Sequence, residues 1–230
     1  MKSEPAKFWD KKILQWEKDK YSPNPVLFIN FDVNSSIKSR IQLARSILKD
    51  LVPGQSVLEL GCGSALLTED ILGFGAKKYV GVDISSVAIQ AAKKRLSHTE
   101  IESKVEFLVS NVSDISPIKT DICFSLGLFD WLSPGEIALI QQKIETRFYF
   151  HTFSERKSFS PSQFLHRIYV YLLYGYKNSS YVPKYHSAND ISVALDPNNS
   201  CAPKLLRRSD LSFGSVAYHL PDEVKDVKWA

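Results

Sequence analysis

Ser56-Val-Leu-Glu-Leu-Gly-Cys-Gly-Ser64 and, a few residues on, Lys78-Tyr-Val-Gly-Val-Asp83 decide the fold. Each is a short apolar run, too brief for a helix, which is the pattern of a buried strand. The first run stops at Gly61, where Gly61 and Gly63 leave backbone open to close approach. The second stops at a carboxylate. Between them, Ser64 to Leu72 reads as a helix ended by Gly73 and Gly75. Strand, glycine turn, helix, strand is the opening unit of a doubly wound sheet, in which ligands bind beyond the carboxyl ends of the strands.

Outward from this unit the alternation continues. Ser85 caps a helix reaching Leu96, Val105–Val109 is a third strand and Asp121–Leu126 a fourth. Ser133-Pro134 opens a helix toward Ile144, and Arg147–Thr152 is a fifth strand. On the N-terminal side lie two amphipathic helices. One runs from Phe8 to Tyr21 with Trp9 and Trp16, and the other from Ser36 to Leu51, with Tyr21-Ser22-Pro23-Asn24-Pro25 breaking the chain between them. After Thr152 the pattern changes. Ser160-Pro161 begins a helix bearing Phe164, Ile168, Leu172 and Tyr174, Lys177 to Tyr185 is a polar, aromatic loop, and Ser187–Leu195 is a short helix. Leu205–Ser209 and Ser215–Leu220 then form strands around Phe213-Gly214. The expected fold is α/β: a doubly wound, mostly parallel seven-stranded sheet with an antiparallel C-terminal hairpin. Residues 1–35 are a helical cap, and 36–230 one domain with a lid-like insertion at about 153–203.

Composition narrows the function. Hydrophobic residues make up 44% of the 230, enough for a core and too many for a disordered chain. No run approaches the ~18 uncharged apolar residues of a membrane span, and Met1–Lys7 lacks the apolar segment of a secretory signal. Cys62, Cys123 and Cys201 are too scattered for a disulfide framework or a zinc site, which leaves a reducing, cytoplasmic setting and no metal. The net charge of +4 comes wholly from residues 147–230, and 147–208 carries nine positive side chains against Glu155, Asp190 and Asp196. Such a patch suits an anionic partner or peripheral contact with a membrane surface, although no dense Lys/Arg run favours nucleic acid.

Glu59 chooses the ligand. A carboxylate at the tip of the first strand repels a pyrophosphate and suits a cationic group, and the third glycine of the dinucleotide pattern is replaced by Leu66. Asp83, twenty residues after Gly63, stands where a carboxylate accepts both hydroxyls of a ribose. A cationic nucleoside is therefore expected.

Val57–Thr68, Tyr79–Ser85 and Asp121-Ile-Cys-Phe-Ser-Leu-Gly-Leu-Phe-Asp-Trp-Leu-Ser-Pro134 resemble the first, second and fourth-strand motifs of class I S-adenosylmethionine-dependent methyltransferases. The resemblance implies S-adenosylmethionine as cofactor. It places Glu59 near the methionyl amino group and the backbone of Gly61, Cys62 and Gly63 along the methionyl part. Asp83 goes to the ribose and Ile84 to the adenine face. Asn111, with Val112 beside it, stands where the family usually has an acid facing the adenine amino group, and an amide oxygen accepts that bond too. Ala65 replaces a common glycine. Leu126 and Gly127 would pass beneath the sulfonium, and Arg40 would pair with the methionyl carboxylate.

His151 and Asp130, at the same sheet edge, are candidate bases for a hydroxyl acceptor. Thr152-Phe-Ser-Glu-Arg156 and the aromatic helix after it resemble the corresponding region of magnesium-protoporphyrin and quinone methyltransferases, which implies a large, flat or lipid-linked acceptor. The expected function is methyl transfer to a small molecule, under a lid formed by the Trp9/Trp16 helix and the insertion. A nucleic-acid or protein methyltransferase and a non-catalytic S-adenosylmethionine-binding module are the alternatives. Ser125-Leu-Gly-Leu, in place of an Asn/Asp-Pro-Pro-aromatic tetrad, disfavours methylation of base amino groups.

Overall fold

In a computed structural model of the chain, residues 3–21, 33–157, 160–172, 181–196, 202–211 and 213–225 are described. The Ser22–Pro25 break, Tyr174, Lys177, Cys201 and the side chain of Trp16 lie outside them.

Seven strands form one sheet: β1 (Ser56–Leu60), β2 (Lys78–Asp83), β3 (Val105–Val109), β4 (Ile118–Leu126), β5 (Ile144–Ser154), β6 (Lys204–Arg207) and β7 (Gly214–His219). Their order is β3-β2-β1-β4-β5-β7-β6. The first five are parallel, while β7 runs antiparallel to both β5 and β6. The expected fold class is thus the observed one, with β7 inserted between β5 and the edge strand β6. The chain winds outward from β1 to β3, then returns to place β4 against the other side of β1. That reversal opens a crevice outside the carboxyl ends of β1 and β4.

Side-chain alternation gives the sheet two packed faces. Val57, Ile122, Phe124 and Phe150 pack with α2 (Val33–Leu51), α3 (Thr68–Gly73) and α4 (Ser86–Leu96). Leu58, Cys123, Tyr149 and Phe153 face α5 (Pro134–Lys143) and α7 (Ala188–Leu195). Leu43, Ala44, Ile47, Leu48 and Leu51 make a continuous buried stripe on α2. α1 (Glu4–Tyr21), α6 (Pro161–Val170) and the short α8 (Asp222–Lys225) complete the helices described. No described helix is long and apolar enough to cross a membrane.

Ser85, Ser133, Ser160 and Ser187 each accept a hydrogen bond from a first-turn amide, so these N-caps start the helices as serine chemistry requires. α3 differs from expectation, beginning at Thr68 rather than Ser64. Gly61, Gly63 and Ala65 all take positive φ (67°, 55° and 56°), which is incompatible with an α-helix there. Arg95 on α4 holds this turn open: its Nη1 and Nη2 donate to the carbonyls of Ser64 and Ala65 at 2.8 and 2.6 Å.

Candidate active site

The glycine turn after β1 is tied to its neighbours on both sides. The amides of Gly61 and Cys62 donate to the Val82 carbonyl at the end of β2. A Cβ on Gly61 would sit 3.1 Å from Leu128, in the turn that follows β4. The crevice therefore has backbone walls of fixed spacing.

Three carboxylates line it. Asp83 is held by two amides, Gly63 N–H on one oxygen at 2.8 Å and Ser85 N–H on the other at 2.7 Å. Each oxygen keeps a further lone pair, as gripping two hydroxyls requires. Burial raises the Asp83 pKa, and those two amides oppose the rise. Glu59 is 5% exposed and accepts a 2.6 Å hydrogen bond from the Tyr79 hydroxyl. Burial pushes its carboxyl up to about 8. The Tyr79 bond works against that, and the charges of Asp83 and Glu17 add to it. Without a cation beside it, Glu59 is protonated at neutral pH.

The third carboxylate, Glu17, comes from α1, forty-seven positions before its partner. It accepts the Ser64 amide at 2.8 Å, and its Oε1 fills the space that a side chain at Gly63 would need. Burial raises its pKa as well. Asp10, also on α1, accepts from the Ser85 hydroxyl at 2.9 Å and the Val87 amide at 3.1 Å. The first helix thus clasps both the glycine turn and the start of α4. The sequence reading missed Glu17, Asp10 and Tyr79. Tyr79 alone had a local signal, being two residues from Gly81, the β-partner of Glu59, and so on the same sheet face.

The other nominated residues divide. Cys62 is buried, which holds its thiol protonated. Ile84 is half-buried, and Val112 is buried in the α5-side core. The Asn111 Oδ1 accepts from the Ser113 amide at 3.2 Å. Leu126 packs against the α2-side core, and Gly127 donates its amide to the Thr152 hydroxyl at 2.7 Å. Arg40 and Asp130, expected to work apart on cofactor and acceptor, stand together as an ion pair at 3.5 Å. The Asp130 carboxylate also accepts the Ser154 amide and hydroxyl. The Arg40 guanidinium lies where Cβ atoms on Gly127 and Gly214 would be, and its buried Nε has no hydrogen-bond partner among the described residues. His151 is 2% exposed, bonds Ser125 through Nδ1 at 2.9 Å, and stacks on Phe129 and Tyr149. Burial lowers its pKa to about 3, so the ring is neutral across the physiological range.

Above the crevice, Phe8 and Trp9 of α1, Trp131 from the turn after β4, and Tyr181 of the insertion form one aromatic cluster. Trp9 and Trp131 lie 4.9 Å apart, Trp131 and Tyr181 5.0 Å, and Trp9 Nε1 donates to the Tyr181 hydroxyl at 3.1 Å.

Residues 57–146 match a family described as a methyltransferase domain. The chain is 39% identical over 71 residues to ribosomal protein L11 methyltransferase of Thermosipho africanus, covering 30% of this chain and 27% of that protein. It is 27% identical over 124 residues to the enzyme of the same name from Clostridium botulinum strain Eklund 17B, covering 51% and 39%. The chain thus spans about a quarter to two-fifths of the length of these curated relatives. Magnesium protoporphyrin IX methyltransferase from Synechocystis PCC 6803, crystallised with bound SAH, shares the fold with a TM-score of 0.68 at 15% identity, covering 93% of this chain and 96% of that one. The stretch that carries the glycine turn, Asp83 and the turn after β4 is the stretch that matches the methyltransferase domain, a family whose cofactor is S-adenosylmethionine.

Proposed function

We propose that this protein transfers the methyl group of S-adenosylmethionine to a small-molecule acceptor. The observation that carries the reading is the crevice itself: two left-handed glycines flanked by the buried carboxylates of Glu59 and Asp83. A cationic ligand recovers the Coulomb energy that these carboxylates lack when alone. Among the described residues, no group of three or more His, Cys, Asp or Glu side chains is arranged to hold a metal ion. The Glu17 carboxyl at the Ser64 amide places an oxygen in the space left by Gly63. We read it as a placeholder for the carboxylate of the methionyl group.

When bound, the cofactor supplies a methyl carbon on a positively charged sulfur, open to in-line attack that returns the carbon–sulfur electron pair to sulfur. The chain has the simpler tasks of alignment and water exclusion. Glu59 would hold the methionyl amino group and Asp83 the ribose. Leu126, Gly127 and Leu128 wall the reacting side, and the Phe8, Trp9, Trp131 and Tyr181 cluster excludes water from above. Asp130 remains a candidate base, requiring release from Arg40 and Ser154 to act, whereas His151, buried with its pKa at about 3, is too weak a base in this arrangement.

A cavity of about 470 Å³ beside this edge is in the range of small-molecule sites. Calorimetry with S-adenosylmethionine tests the reading. Binding that weakens at least tenfold in Glu59→Gln supports it, and no binding at millimolar ligand overturns it.

A further inference from the structure

The basic C-terminal stretch is not a uniform surface. Arg207 is committed to a two-pronged ion pair with Glu155 at 2.6 and 2.7 Å, and Arg208 to Asp210 at 2.8 and 2.9 Å. Arg156, Arg167 and Lys184 have no carboxylate within ion-pair distance among the described residues, and all three line the 470 Å³ cavity. The Arg156 guanidinium donates one hydrogen bond, to the Tyr185 carbonyl at 3.1 Å, which leaves most of its donors uncommitted. The Arg167 guanidinium stands 5.7 Å from the centre of the Tyr185 ring. Asp190, the one acid among the described lining residues, is part of the capping box with Ser187; the Ser187 side chain first and its amide second hold the carboxyl below the usual range, and the charge of Arg156 adds to the lowering. The other described lining residues are Pro134, Tyr171, Val182, Pro183, Tyr185 and His186.

The position of the cavity links it to the crevice. Part of its lining is the loop residues Val182–His186, and the Lys184 amide there donates to the Asp130 carbonyl. The His186 Nε2 lies 2.8 Å from the Phe129 carbonyl. Both carbonyls belong to the turn after β4, the turn whose Gly127 and Leu128 wall the crevice. Segment 182–186 is thus bonded to the methyl-transfer edge and also forms part of the lining of this cationic, aromatic cavity.

We propose that this cavity anchors an acidic group of the acceptor, a carboxylate or a phosphate carried on a flat or apolar body, through Arg156, Arg167 and Lys184. Calling the ligand an acceptor rests on the methyl-transfer reading. The affinity for an aromatic acid does not.

The test is titration of the full chain, saturated with S-adenosylhomocysteine, with 1-naphthoate, 1-naphthyl phosphate and the neutral 1-naphthalenemethanol, followed by NMR. At least one acid should bind ten times more tightly than the alcohol, and whichever acid binds better distinguishes carboxylate from phosphate. Arg156→Ala/Arg167→Ala and the charge reversal Arg167→Glu should each weaken acid binding about tenfold or more, the scale of one lost charged hydrogen bond. Their melting temperatures and S-adenosylhomocysteine affinity should match the parent, since these side chains are exposed. Equal binding of acid and alcohol, or acid binding unchanged in both variants, overturns the proposal. If S-adenosylhomocysteine fails to bind while the acids still bind and respond to the variants, the methyl-transfer reading falls and the anion site stands.

Discussion

The two sides of the sheet reversal carry opposite charge and were built in opposite ways. On the β1–β2 side, Glu59 and Asp83 sit at adjacent strand ends, joined by a glycine turn within 25 residues of sequence. On the β4–β5 side, Arg156, Arg167 and Lys184 converge from a strand exit, a helix and a loop. The acidic side uses short-range geometry that hydrogen bonds fix at every step, while the basic side is assembled by the insertion folding back onto the turn after β4. On the proposed reading, the acidic side holds the cofactor and the basic side meets the acceptor.

Breaking the acidic side should have the largest effect. Glu59→Gln should weaken S-adenosylmethionine binding about 10–100-fold, the range for a lost charged hydrogen bond, and leave the binding of naphthoate in the other cavity unchanged. Because Glu59 is protonated at neutral pH in the free protein, the amide is a near isostere and the melting temperature at pH 7 should hold.

The pH dependence sharpens the same contrast. Free protein binds the Glu59 proton more tightly folded than unfolded, so its stability should fall as pH rises from about 4.5 toward about 8, by at most about 1.4 kcal/mol per unit. Cofactor binding should have the opposite sign. A cation favours the ionised carboxylate, so affinity should climb over this window, at most about tenfold per unit, and level off above pH 8. Calorimetry in buffers of different ionisation enthalpy at pH 6.5 should detect the released proton, and Glu59→Gln should abolish the release.

Trp9→Ala tests the bridge between the two sides. It removes the Trp131 contact and the bond to Tyr181, so turnover should fall about tenfold while cofactor affinity changes less. Equal losses in both would mean that the cluster holds the cofactor rather than the closed acceptor site. The smallest effect is expected from Glu17→Ala. Freeing the Ser64 amide should raise cofactor affinity by about the worth of one ordinary hydrogen bond, a few-fold. A drop would show that Glu17 is a ligand group and not a placeholder.

The sheet was legible because its strands are short apolar runs between turns, and the helix caps were legible because serine states its role locally. The glycine turn and Asp83 share that property. The extent of α3 was misjudged because Ser64 resembles a cap, and the arginine that unwinds this turn lies 31 positions away. Glu17 was invisible for a similar reason: an acid on an amphipathic helix reads as solvated surface until tertiary packing turns it inward. Arg40 and Asp130 were each noticed, yet their pairing across 90 positions has no sequence periodicity to announce it. Likewise, the count of positive charges in 147–208 could not separate Arg207 and Arg208, each paired with an acid, from the three cations that share a cavity.

The guanidinium wedged between Gly127 and Gly214 has a consequence for how the molecule comes into being. Its two glycine neighbours are 87 positions apart, and the later one starts the penultimate strand of the sheet's far edge. During synthesis the glycine turn and Asp83 emerge early, but Arg40 acquires its second wall only once residue 214 has left the ribosome. A nascent chain short of that point carries the whole motif while the floor beside it stays unbraced, so ligand capture should await the last hairpin.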